Sequence, residues 1–77
     1  MNVQQFRESK EYADACRKIN AYHKGFEFTI PYYKMTQGQR NAMDVVTTDC
    51  TKQGLIQSIS FGVSLEGEFT EETFVRL

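Results

Sequence analysis

The sequence GFEFTIPYYKMTQGQRNAMDVVTTDCTKQGL, residues 25–55, predicts a strand, a turn and a capped helix. Over residues 26–33, aromatic and β-branched side chains alternate with others, which is the pattern of a strand with one buried face. Pro31 cannot donate a backbone hydrogen bond to a neighbouring strand, so we expect this strand to lie at an edge of the sheet.

Signals at both ends delimit the helix that follows. Thr36 and Gln39 have the Thr-x-x-Gln spacing of a capping box, and Gly54 stands where a left-handed residue commonly ends a helix. Lys52 lies in the last turn, where a cation interacts favourably with the helix dipole. Apolar residues at helical spacing predict the buried face, which consists of Ala42, Met43, Val46 and Cys50, with Val45 at its margin.

Residues 3–23 are predicted to form one helix with a kink near Ser9. Ser9 is also a candidate N-cap, which leaves open that residues 2–8 form a separate turn. Gly25 ends this helix. Its expected apolar stripe consists of Val3, Phe6, Ala13, Cys16, Ile19 and Tyr22.

The C-terminal part predicts two further strands joined by the turn Glu66-Gly67-Glu68. Residues 55–65 alternate cleanly, and residues 69–77 are predicted to pair with them so that Phe61 faces Thr73 and Ile59 faces Val75. A short helix beginning near Thr70 remains an alternative. The strand is favoured because a two-stranded sheet is rarely stable by itself.

These elements predict an α+β fold, a two-layer sandwich in the order α-β-α-β-β. A right-handed crossover through the capped helix would make strands 26–33 and 55–65 parallel neighbours. The three-stranded sheet would then be mixed, with residues 55–65 as its central strand and both helices on one face. The chain, residues 1–77, is expected to be a single domain.

Composition narrows the classes of function. Nine Lys and Arg residues against ten Asp and Glu residues give a net charge of −1, so no global field attracts nucleic acid. The first residues, MNVQQFRES, lack an apolar signal segment, and no apolar run reaches membrane-spanning length. Two cysteines are too few for a secreted disulfide scaffold. We therefore expect a cytoplasmic protein.

No catalytic, cofactor or metal site is predicted. Cys16 and Cys50 lie on expected core stripes, which favours buried thiols over a disulfide, a Cys–His nucleophile or a metal cluster with His23. Residues 36–40 precede a helix, but they lack the glycines and the Lys-Ser/Thr ending of a phosphate loop. We expect a chain that is not an enzyme and that has no cofactor.

The open face of the predicted sheet is the candidate interaction surface. Small polar residues alternate along residues 55–65 and would form a flat face, which suits an unknown protein partner or a second copy. The residues of this candidate surface are Thr29, Tyr33, Ser58, Ser60 and Ser64. Any self-association is expected to go through this face or through the C-terminal strand.

We therefore expect a non-enzymatic protein–protein interaction or accessory module. The alternative is a small nucleic-acid-binding regulator, either winged-helix-like or a binder of single strands. The helix that ends at Gly54 and the hairpin after it resemble a winged-helix motif, and Tyr32 and Tyr33 could stack on bases. Only two of the three required helices are predicted, and Asp44 and Asp49 would repel a polyanion.

Overall fold

Within residues 2–77, three helices and a three-stranded antiparallel sheet form an α+β fold. The computed structural model describes residues 2–77. The helices are α1 (Val3–Arg7), α2 (Lys10–Ala21) and α3 (Gln37–Lys52), with a single 3₁₀ turn at Tyr32–Lys34. The strands are β1 (Glu27–Ile30), β2 (Ile56–Val63) and β3 (Phe69–Arg76).

The N-terminal region forms two helices, so the prediction of one helix over residues 3–23 is wrong. Asn2 and Gln5 form a complete capping box for α1. The Ser9 hydroxyl accepts from the backbone N–H of Tyr12 at 3.2 Å and donates to the Phe6 carbonyl at 2.6 Å. Ser9 therefore caps α2 and ends α1, as in the alternative interpretation. The break rotates the buried stripe, leaving Ala13 exposed.

A polar clamp fastens α1 and α2 to α3. The Arg7 guanidinium donates two hydrogen bonds of 2.9 Å to the Asp49 carboxylate, and the Tyr12 hydroxyl donates a third at 2.7 Å. These hydrogen bonds, that of Arg7 first, hold the pKa of Asp49 below its usual value. The Asp49 side chain is only 14% exposed because it serves this contact, so its charge is not free to repel a polyanion.

The α3 helix has the predicted boundaries and caps. The Thr36 hydroxyl accepts from the Gln39 N–H at 3.2 Å, and the Gln39 side chain accepts from the Thr36 N–H at 2.9 Å. Gly54 follows the helix with φ of +74°, the left-handed region that glycine tolerates best. Val46 and Cys50 are buried, which confirms the predicted core face.

The order of the strands is β1-β3-β2, so the C-terminal strand and not residues 55–65 lies in the centre. The prediction of a mixed sheet is therefore wrong. β1 and β2 both run antiparallel to β3, which lies between them. The local signals did predict a third strand correctly, since residues 69–76 form β3 rather than a helix. With β3 paired on both sides, the premise that the C-terminal strand offers a free edge is also wrong.

The register of the β2–β3 hairpin differs from the predicted one. Phe61 lies opposite Glu72 and Ser60 opposite Thr73, with irregularities between Ser58 and Ser60 and between Gly62 and Val63. Each irregularity adds one residue to one strand and so changes which face the following side chains occupy. Alternation alone assigned Ser58 and Ser60 to one face, and the first irregularity separates them.

The core lies between the helices and the sheet. Phe28 stacks on Phe74 with ring centroids 5.6 Å apart, and Ile56 is 1% exposed. β1 ends at Ile30, earlier than the predicted residue 33, because Pro31 and the 3₁₀ turn follow it. The buried apolar residues are Ile19, Ile30, Tyr32, Val46, Cys50, Ile56 and Phe74. None of the helices described over residues 2–77 has the length and apolar character to cross a membrane.

Candidate interaction surface

The far half of the β2–β3 hairpin projects beyond the rest of the sheet. β1 spans only four residues and pairs with Glu72–Val75 of β3. The segment of the hairpin nearer its turn, beyond Phe61 and Glu72, consequently has only two strands. Its backbone is held together by β2–β3 pairing alone, and its side chains receive little cover from the helices.

Four large apolar side chains lie on this projecting segment, and we call them the hairpin patch. The rings of Phe61 and Phe69 contact each other, with centroids 5.2 Å apart. The exposed fractions are 61% for Phe61, 52% for Val63, 105% for Leu65 and 57% for Phe69. Exposed apolar side chains gathered in one place mark an interaction surface far more often than scattered single ones do.

The turn that carries the patch is tightly hydrogen-bonded. The Ser64 N–H donates to the Glu68 carbonyl at 2.8 Å, and the Gly67 N–H donates to the Ser64 carbonyl at 2.9 Å. The Ser64 hydroxyl accepts from the Glu68 N–H at 3.2 Å. Gly67 has φ of +84°, which a residue with a side chain would adopt at a cost. Ser64 therefore shapes the turn and presents Leu65 at its tip.

A polar groove adjoins the patch between α3 and the hairpin. Its lining includes Phe69 of the patch, the buried Tyr32, and the carboxylates of Asp44 and Glu72. Burial raises the pKa of Tyr32, and the negative charge of Glu72 acts in the same direction. The Arg40 guanidinium donates to the Tyr32 carbonyl at 2.8 Å. Polar groups therefore flank the apolar patch on its helical side.

The other face of the sheet carries part of the predicted surface. Thr29 and Thr73 lie opposite each other, and their hydroxyl oxygens are 2.9 Å apart. Ser60 lies opposite Thr73 on its other side, so the three hydroxyl side chains form one row across the sheet. The structure thus brings Thr29 and Ser60 together through Thr73, which was not among the predicted surface residues.

The remaining predicted surface residues lie elsewhere. Ser58 lies opposite Phe74, and its hydroxyl donates to a Glu72 carboxylate oxygen at 2.6 Å on the face that bears the core. Tyr33 belongs to the 3₁₀ turn and is 57% exposed, with the Lys34 ammonium 5.6 Å from its ring centre. The five predicted residues are therefore distributed over several surfaces.

The two cysteines line one small cavity between α2 and α3. Burial raises the pKa of Cys50 to about 11, and the neighbouring Cys16 thiol adds to the effect. A high pKa keeps the thiol protonated at neutral pH and so weakens it as a nucleophile. His23 packs edge-on against Phe26, with ring centroids 5.3 Å apart. Among residues 2–77, no group of three or more His, Cys, Asp or Glu residues is arranged to hold a metal.

The hairpin patch is the feature that the sequence analysis missed. Alternation correctly placed Phe61 and Val63 on the face opposite to Gly62, but we took that face to be core. One signal was available, because Pro31 ends the strand that pairs with β3. β1 has four residues, while β2 and β3 have eight each. A hairpin twice as long as the adjacent strand must extend past it.

No protein family, curated protein or solved structure matches this chain. Its function is therefore argued from its own surface.

Proposed function

We propose that this chain is a non-enzymatic protein–protein interaction module whose contact surface is the hairpin patch. The observation that carries the proposal is the exposure of Phe61, Val63, Leu65 and Phe69, each more than half exposed on one projecting hairpin. Burying one large apolar side chain contributes about 1.5–3 kcal/mol. Burying this patch would therefore contribute more binding free energy than burying a row of polar side chains on the sheet.

A two-layer arrangement supports this proposal. We infer that the helices cover only the face of the sheet that carries Ile30, Ile56 and Phe74, which are all buried. On the opposite face, Thr29 remains exposed and forms a hydroxyl pair with Thr73. With one face covered and the hairpin extending past β1, the exposed patch lies where a partner can reach it.

The surroundings of the thiol and imidazole groups within residues 2–77 favour binding over catalysis. The buried Cys50 thiol is held protonated, and the His23 ring contacts Phe26 rather than a nucleophile within the described chain. The carboxylates of Glu66 and Glu68 flank the patch at the turn, where they would repel a nucleic acid. Two free cysteines side by side suit a reducing compartment, so we infer that the module works in the cytoplasm.

Site-specific photocrosslinking tests this proposal with a matched pair of positions. Val63 belongs to the patch and Val3 lies on α1, and they are 52% and 50% exposed. Each is replaced separately by p-benzoylphenylalanine, and the cells that make the chain are irradiated. We expect a discrete covalent adduct from position 63 and only background from position 3. Equal yields from the two positions would contradict the proposal.

A further inference from the structure

The outer side of β2 is an open sheet edge, interrupted by the irregularity between Ser58 and Ser60. β2 has a strand neighbour only on its β3 side within residues 2–77. Its eight residues, IQSISFGV, include no charged residue and no proline. Natural edge strands commonly carry charged residues or proline, which prevent pairing with another chain. The opposite edge, β1, has only four residues and is followed by Pro31.

The hydrogen bonds of the sheet show which residues of β2 have free backbone groups. Arg76 exchanges its backbone hydrogen bonds with Gly25 and Phe26 on the β1 side, at 2.7 and 2.8 Å. Its partner across the hairpin, Ile56, must then point its N–H and C=O outward. By alternation, Ser58 points the same way. Beyond the irregularity, Ser64 bonds inward to Glu68, so Val63 and Phe61 point outward.

We propose that the partner for the hairpin patch is a second copy of this chain, joined by antiparallel pairing of the two β2 strands. This inference rests on the proposed function, since it names the occupant of the same surface. A two-fold axis near Ile59 and Ser60 would place the second copy's Phe61 beside Ser58 and its Val63 beside Ile56. Outward-pointing residues then meet outward-pointing residues on each side of the axis, and the irregularities of the two strands meet at the axis itself.

The shape of the surface beside β2 suits this arrangement. Ser58 lies in a shallow cavity with Glu72 and Phe74 of β3 and with five residues of α3, namely Asp44, Thr47, Thr48, Thr51 and Lys52. The small serine side chain leaves room above the strand. A phenylalanine entering from a neighbouring strand would cover the apolar stem of Lys52 and lose its own exposure to water. Two-fold symmetry would bury two such rings in one interface.

Charges at the two ends of β2 are also complementary. Lys52 lies near the start of the strand, and Glu66 and Glu68 lie at the turn beyond its end. None of these three side chains makes an ion pair within the described residues. Antiparallel pairing brings the start of one strand to the end of the other, so each Lys52 would approach the glutamates of the second copy. A parallel arrangement would instead bring like charges together.

Sedimentation velocity over a range of concentrations tests the inference. We expect a reversible dimer, and we expect Phe61→Lys to raise its dissociation constant by more than about tenfold, since it removes a buried ring and adds a charge. The control is Val3→Lys, which changes an exposed valine on α1 and should leave the dimer unchanged. Circular dichroism of each variant reports whether it is folded.

A charge exchange tests the antiparallel direction independently. Lys52→Glu should weaken the dimer, and the further changes Glu66→Lys and Glu68→Lys should restore it. A monomer at every concentration, or a dimer indifferent to Phe61→Lys, would overturn the inference. Failure of the dimer can be distinguished from failure of the proposed function. If the patch binds a different protein, the crosslinker at position 63 would label that protein. If the patch binds no protein, labelling from position 63 would not rise above background.

Discussion

The Ser58 hydroxyl donates a 2.6 Å hydrogen bond to the Glu72 carboxylate, across the face of the sheet that bears the core. Only two residues later, Ser60 lies opposite Thr73 on the other face. The extra residue in β2 between these serines accounts for the difference, because it shifts the alternation of side chains by one position. The same shift directs Phe61 to the face that bears the core, where it remains 61% exposed and becomes part of the hairpin patch.

The capping box of α3 should contribute measurably to stability. Thr36→Ala removes the hydroxyl that accepts from the Gln39 N–H, and we expect the free energy of unfolding to fall by about 1 kcal/mol. The measurement is the urea midpoint. Thr48→Ala removes the same atoms from an exposed interior position of α3, where alanine has the higher helix propensity, so the midpoint should stay constant or rise. Equal losses from both variants would contradict a specific role for the cap.

The end of α3 should be sensitive to a side chain at Gly54. Gly54 has φ of +74°, so Gly54→Ala should lower the free energy of unfolding by about 1 kcal/mol even though nothing lies within 4 Å of the added Cβ atom. Gly38→Ala is the control, since Gly38 lies in the first turn of α3 and its Cβ would make an ordinary 3.9 Å contact with Thr36. That variant should stabilise the chain by up to about 1 kcal/mol. The same sign for both variants would refute this account.

The contrast between α3 and the sheet shows what the sequence could specify. Both ends of α3 are set by pairs of residues three or four positions apart, so local pattern was sufficient. The centre of the sheet is set by contacts such as Thr29 with Thr73, which are 44 residues apart. A crossover rule favoured β1 beside β2, but β3 pairs with both strands and lies between them.

The placement of the residues proposed for the interaction surface shows the same limit of local pattern. Alternation placed Thr29 and Ser60 on one face, and the register of β3 confirms that they share a row through Thr73. Alternation could not place the irregularity after Ser58, which depends on how the two strands of the hairpin fit together. It also could not show that Phe61 remains exposed, since that depends on how the helices pack on the sheet.

The clamp between α1 and α3 should make stability depend on acid. The pKa of Asp49 is lower in the folded chain than in the unfolded chain, so the unfolded chain binds the proton more readily. The contribution of Asp49 is therefore present above about pH 4 and is lost as the pH falls through the lowered pKa. We expect Asp49→Asn to be less stable than the wild type at pH 7 and to lose less stability on acidification.

Urea unfolding at a series of pH values between about 2 and 7 would check this behaviour. This interval covers roughly the range over which carboxylates titrate. Asp44→Asn is the control on the same helix, because the Asp44 carboxylate receives no side-chain hydrogen bond from residues 2–77. That variant should keep the acid dependence of the wild type. If Asp49→Asn and the wild type lost stability in parallel, Asp49 would not be the group responsible.

The two thiols should differ in reactivity although they line the same cavity. Cys50 is 1% exposed and Cys16 is half-buried, so a bulky alkylating reagent should reach Cys16 first. The raised pKa of Cys50, about 11, further reduces its thiolate fraction at neutral pH. We therefore compare Cys50 in the variant Cys16→Ala with Cys16 in the variant Cys50→Ala. We expect Cys50 to be labelled at least about tenfold more slowly, because burial and protonation act together. Mass spectrometry of the intact chain over time measures both rates.

Urea should remove most of the difference, because unfolding exposes both residues equally. Comparable rates without denaturant would show that α2 and α3 separate often enough to expose the core, and the packing of Cys50 against α2 would then be wrong.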